Sequence, residues 1–163
     1  MPSRISTATE CLAESWKASG PSWIVELLPS GLPESVGEEE DLARFLTSSS
    51  QYTASAVRHT VFLPNPRNFE TSVFRHGAEP RDQLWEIGDQ QIRGERPVHG
   101  AAVVKTSHIR AVALEVLASE PPPRHANILG WPRDDSDPDV TKARQKELAL
   151  KMAAVAILIR RAG

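Results

Sequence analysis

The chain has 163 residues, 40% hydrophobic and 25% charged, with a net charge of −2. That is the size and balance of one ordinary globular domain, and it carries no overall basic field to draw in nucleic acid. A single cysteine, Cys11, excludes a disulfide framework and a cysteine-based zinc cluster, and the longest strongly apolar run, Met152 to Ile159, is far shorter than the ~20 residues a bilayer-spanning helix needs.

Residues 1–57 hold three basic residues against eight acidic ones. Within them, the stretch from Pro29 to Asp41 is rich in chain breakers and acid and reads as loop or linker. Residues 1–20 lack the apolar core of a secretory signal, and residues 1–10 are expected to be disordered. The domain map is therefore an acidic, partly disordered segment over 1–50 and a single domain over 51–163.

The clearest strand signal lies at 57–63 and 69–75, two β-branched and aromatic runs around Pro64-Asn-Pro-Arg-Asn68. This predicts a hairpin with a long loop, with Val57, Val61, Leu63, Phe69 and Val73 on its core face. Pro80 and Asp82 open a helix to about residue 92, with Leu84, Trp85, Gly88 and Ile92 on one stripe. Gly88 either allows a close approach to a neighbour or ends that helix early.

Residues 98–118 fit a strand at 98–104, a helical turn near 106–111 and a strand at 113–118. A helical stripe through Ile109, Val112, Ala113, Val116 and Leu117 fits nearly as well. Three prolines at 121–123 then stop regular structure, and 124–131 is a short strand.

Asp137, Pro138 and Asp139 form a strong helix start. The helix is expected to run to the C-terminus with Leu148, Met152, Val155 and Ile159 as its stripe, its last two turns deeply packed, and Arg160 and Arg161 on the C-terminal dipole. The fold class is α+β: a small, mainly antiparallel sheet packed against a long C-terminal helix.

No complete catalytic motif is visible. The five histidines, at 59, 76, 99, 108 and 125, lack any local spacing for a metal, and no metal or other cofactor is expected. Cys11 has no local partner base and reads as an incidental thiol. Phosphate-binding glycine loops and a nucleophile-elbow motif are missing.

The unusual segment is Glu120-Pro-Pro-Pro-Arg-His-Ala-Asn-Ile-Leu-Gly-Trp-Pro132. On a strand, His125 and Asn127 share a face and could serve as general acid/base and its oxyanion partner, or could merely satisfy buried backbone groups. His125-Ala-Asn-Ile128, followed by Trp131-Pro132 and a helix, resembles the His-Pro-Asn segment of ubiquitin-conjugating enzymes over a few residues. The cysteine that family needs after the motif is missing, and no reading rests on the likeness. Arg58, Arg75, His76 and Arg124 would make an anion site if the hairpin and the 124–130 strand are neighbours.

The leading reading is a non-catalytic, cytoplasmic binding or adaptor protein acting on a protein partner. It rests on complementary charge: an acidic N-terminal segment and a basic stretch, 142–161, that carries six cations against Glu147. The two segments could also pair within the chain or between copies; neither nucleic acid nor a membrane is an expected partner. The rival reading is a small cofactor-free enzyme or phosphoester-binding protein with an Arg/His/Asn site.

Overall fold

The computed structural model describes residues 26–76, 81–92 and 96–162. The predicted disorder at 1–10 and the reading of Cys11 lie outside them. The chain divides into two units, 1–34 and 35–163. In the first, Leu27 bridges Pro33 around a turn in which Gly31 takes a φ of 86°.

The second unit is an α+β fold built on a six-stranded antiparallel sheet. Its strands are β1 (Asp41–Leu46), β2 (Thr71–Arg75), β3 (Gly100–Lys105), β4 (Glu115–Ala118), β5 (His125–Leu129) and β6 (Ile157–Arg160), in the spatial order β4-β5-β2-β1-β3-β6. The helices are α1 (Arg81–Gln91), α2 (Thr106–Ala111) and α3 (Pro138–Val155). No helix among the described residues is long and apolar enough to cross a membrane.

Strand alternation sends side chains to two cores. One face contributes Leu42, Leu46, Val73, Ala102, Val104, Val116, Ala126 and Ile128, which pack with Ala149 and Met152 of α3, Ile109 of α2, and Val61, Phe62 and Trp131 from loops. The opposite face contributes Ala43, Phe45, Ala101 and Val103, which pack with Leu84 and Ile87 of α1. Because both faces are covered at β3, five of its six residues are buried and its sequence, GAAVVK, shows no polar alternation.

The strand, helical turn and strand over 98–118 form as β3, α2 and β4, and the helix expected near 80–92 forms as α1. Gly88 is there for close approach: a β-carbon at this position would lie 2.8 Å from Cε1 of Phe45. Gly88→Ala is expected to destabilise the protein by about 1–3 kcal/mol, because the overpacking against a buried ring outweighs alanine's helix advantage of ~1 kcal/mol. A denaturant melt checks this, and an unchanged or raised midpoint would refute it.

Two expectations are corrected. The 57–75 hairpin does not form. β2 has β1 on one side and β5 on the other, so no edge is left for the segment before it. Residues 57–63 instead contain a 3-10 turn, His59–Val61, which inserts Val61 and Phe62 into the core beneath α3.

The C-terminal helix also stops earlier than expected, at Val155. Ile157–Arg160 pairs with β3 from Gly100↔Arg160 to Val103↔Ile157. β-Branched isoleucines and an unpartnered β3 edge favour strand over helix here. Gly100 permits the pairing, since a β-carbon there would lie 2.5 Å from the Ile159 carbonyl oxygen. Val155 and Ile157 are exposed rather than deeply packed, and Arg161 pairs with Asp89 of α1 instead of capping a helix. The buried stripe of α3 is Thr141, Gln145, Ala149 and Met152, with the two polar members bonded to the Asp134 and Pro132 carbonyls.

The second unit begins at Ser35, so β1 and the acidic run before it both lie in that unit. The acidic run is engaged inside it. Glu40 pairs with the fully buried Arg75 at 2.8 Å, Glu38 with Arg110, and Glu39 and Asp41 with Lys105. Arg110 also meets Glu115 at 2.8 Å. The backbone N–H of Val116, and then Arg110, hold the Glu115 carboxyl below its ordinary pKa.

Candidate functional site

The second sheet face is covered only in part. Its core draws on β1, β3 and α1, with Phe74 at the margin. Ser72, Asn127 and Leu117, which lie side by side across β2, β5 and β4, are outside that core. Leu117 is more than half exposed. The uncovered patch thus has an apolar edge and a polar middle.

His125 stands diagonal to Ser72, because its own cross-strand partner is Phe74, whose ring it meets edge-on at 5.4 Å between centroids. Its Nε2 is 2.5 Å from Ser72 Oγ, and its Nδ1 is 2.9 Å from the Ser119 carbonyl oxygen. A carbonyl can only accept, so Nδ1 carries a proton, and in the neutral ring Nε2 then accepts from the serine hydroxyl. The proline turn between β4 and β5 brings Ser119 back beneath the ring, where its N–H also donates to the His125 carbonyl.

Arg124, directly before β5, and Phe69, two residues before β2, take left-handed φ values of 68° and 55°. Side-chain-bearing residues rarely adopt that conformation, and it sets the angle at which each strand enters the sheet.

Beside Ser72 lies a pocket of about 380 Å³ lined by Arg44, Leu63, Pro64, Asn65, Pro66, Asn68, Glu70, Ser72 and Asn127. Arg44 occupies the gap where β1 and β2 part after the Ala43↔Phe74 pair. Its Nε donates to the Val61 carbonyl at 3.1 Å and its Nη1 to the Ser72 carbonyl at 2.8 Å. Burial lowers its pKa from the ordinary arginine value. The pocket's outer wall, 64–70, is held by its own bonds: Asn65 N–H to the Glu70 carbonyl, and the Asn65 and Asn68 side-chain oxygens to the N–H groups of Arg67 and Glu70.

The predicted candidates are therefore divided. His125 and Asn127 lie on one face, beside Ser72. Arg75 is fully buried on the other face in its pair with Glu40. His76 is buried at the end of β2, and its N–H donates to the Asp41 carbonyl. Arg124 reaches the Arg75 backbone carbonyl through Nη1 and borders a polar cleft against α1, while Arg58 is exposed ahead of the 3-10 turn. Of these four residues, Arg124 lines the cleft against α1, and none lines the pocket beside Ser72. Among the described residues, no group of three or more histidine, cysteine, aspartate or glutamate side chains is placed to hold a metal.

Ser72, Ser119 and Arg44 were not anticipated. Arg44 left a trace, a lone cation inside the apolar run Leu42-Ala-Arg-Phe-Leu46. Ser72 left none, because its role depends on a strand 53 residues away in the chain.

No family model, curated protein or solved structure matches this chain.

Proposed function

We propose that the protein is a small cofactor-free hydrolase acting on acyl esters, with Ser72 as nucleophile and His125 as general base. The observation behind this is the relay from the Ser72 hydroxyl through His125 to the Ser119 carbonyl. It supplies a nucleophile, a base in the right tautomer and a group that orients the base.

In the reaction, Oγ of Ser72 bonds to the ester carbon as its proton passes to Nε2. The alkoxide leaving group departs with that proton. Water then attacks the acyl-serine, again with His125 as base, and frees the acid. Asn127, in the pocket beside Ser72, is a donor available to the oxyanion.

A fluorophosphonate probe tests the proposal, since the serine oxygen displaces fluoride to form a stable phosphonyl ester. The parent protein is expected to be labelled at Ser72, and Ser72→Ala to be unlabelled. His125→Ala should be labelled about 100-fold more slowly or worse, the loss typical of a missing general base, with little change in melting temperature. An unlabelled parent overturns the proposal. So does a His125→Ala protein that labels normally but loses about 1–3 kcal/mol of stability, the signature of a merely structural histidine.

A further inference from the structure

We infer that the pocket beside Ser72 is a subsite for a single carboxylate group, so that the ester this protein cleaves carries one. The word substrate rests on the hydrolase reading; the binding does not. Arg44 is the central observation. A cation in the middle of an interior strand bears a large desolvation cost, and among the described residues no carboxylate lies within ion-pairing distance of it. Its two carbonyl bonds use only part of the guanidinium's donor set, and Arg44 lines the pocket.

The other walls are also biased toward donation. The side-chain oxygens of Asn65 and Asn68 already accept from backbone N–H groups, and both residues line the pocket.

Glu70 decides which anion fits. Its carboxylate shares the lining with Arg44, so the charges of the two side chains cancel when the pocket is empty. A bound monoanion leaves the pocket with one excess negative charge and a phosphate dianion with two, so Glu70 opposes the dianion more strongly. The planar guanidinium fork also matches a planar carboxylate. The volume of about 380 Å³ lies in the range of small-molecule sites.

Binding to the full-length Ser72→Ala protein tests this without turnover. The probes are N-acetylglycine, its uncharged amide and inorganic phosphate, each titrated by calorimetry. N-acetylglycine is expected to bind about tenfold or more tightly than the amide, and more tightly than phosphate, the scale of one charge-assisted contact. Adding Arg44→Lys should remove that preference, and adding Glu70→Gln should raise phosphate affinity severalfold.

Equal binding of acid and amide overturns the inference, and that comparison needs no change at Arg44. Phosphate binding more tightly than N-acetylglycine overturns the carboxylate assignment. A carboxylate preference in a protein that the fluorophosphonate fails to label would retain the subsite while removing the hydrolase reading.

Discussion

A chain lacking residues 1–34 is expected to fold cooperatively, while one lacking residues 1–50 is expected not to fold at all. The 35–163 unit contains all six strands and both cores. β1 lies between β2 and β3 and contributes Leu42 and Leu46 to one core and Ala43 and Phe45 to the other. Removing it opens a long gap in the sheet, deletes four buried side chains and leaves Arg75 in the interior without Glu40. Breaking a buried pair from one side typically costs about 3–5 kcal/mol, and each large apolar deletion adds ~2–5 kcal/mol, against a total stability of only ~5–15 kcal/mol. Circular dichroism and thermal unfolding of the two truncations decide the matter. A cooperative transition in the shorter chain would show that β1 is dispensable, and an unfolded longer chain would show that the boundary at residue 34 is misplaced.

Trp131→Ala is expected to destabilise the fold by about 3 kcal/mol or more, the cost of deleting a large buried aromatic side chain. Trp131 is 5% exposed and packs in the core beneath α3. The chain around it is tied down on both sides. Gly130 turns with a φ of 86°, Gln145 donates to the Pro132 carbonyl at 3.0 Å, and Thr141 joins Asp134 by two hydrogen bonds. These ties limit collapse into the space a truncation leaves.

Trp131→Phe should behave differently. The indole N–H is buried with no hydrogen-bond partner among the described residues. Phenylalanine loses some apolar area but also removes that unsatisfied donor, so the cost should stay below about 1.5 kcal/mol. Chemical denaturation of both variants measures the two effects. Equal losses would mean that the orphan N–H carries no penalty, and a harmless alanine would mean that the segment is not anchored by the ring.

The elements legible in the sequence share one property: their signals are local. The start of α3 is written in Asp137 and Pro138, and the aspartate side chain does accept from the Asp139 and Val140 N–H groups. In α1, Leu84 and Ile87 fall on the face that meets the second core, while Gly88 marks its close contact with Phe45. The alternation in His125-Ala-Asn-Ile-Leu129 puts Ala126 and Ile128 in the core and leaves His125 and Asn127 on the other face. Half of the candidate site was therefore visible as a strand face. Its other half was not, because Ser72 and Arg44 join it only through strand neighbours that are distant in the chain.

What the sequence determined by itself was the class of fold, the chain order of most elements and the two residues of β5 that face the site. Caps, breakers and hydrophobic period act within a few residues and need no partner to be read. What only the tertiary structure decided was pairing. The run 57–63 has strand composition, but both edges of β2 are taken, and it becomes a loop plugged into the core. The run 157–160 continues a helical pattern, but β3 offers an open edge, and it becomes β6. Strand propensity is a preference for a half-buried pleated surface, and only the assembled sheet says where such a surface is vacant. The same dependence on assembly creates the site. Ser72, His125 and Arg44 come near one another because β1, β2 and β5 are neighbours in space, an adjacency that no periodicity along the chain encodes.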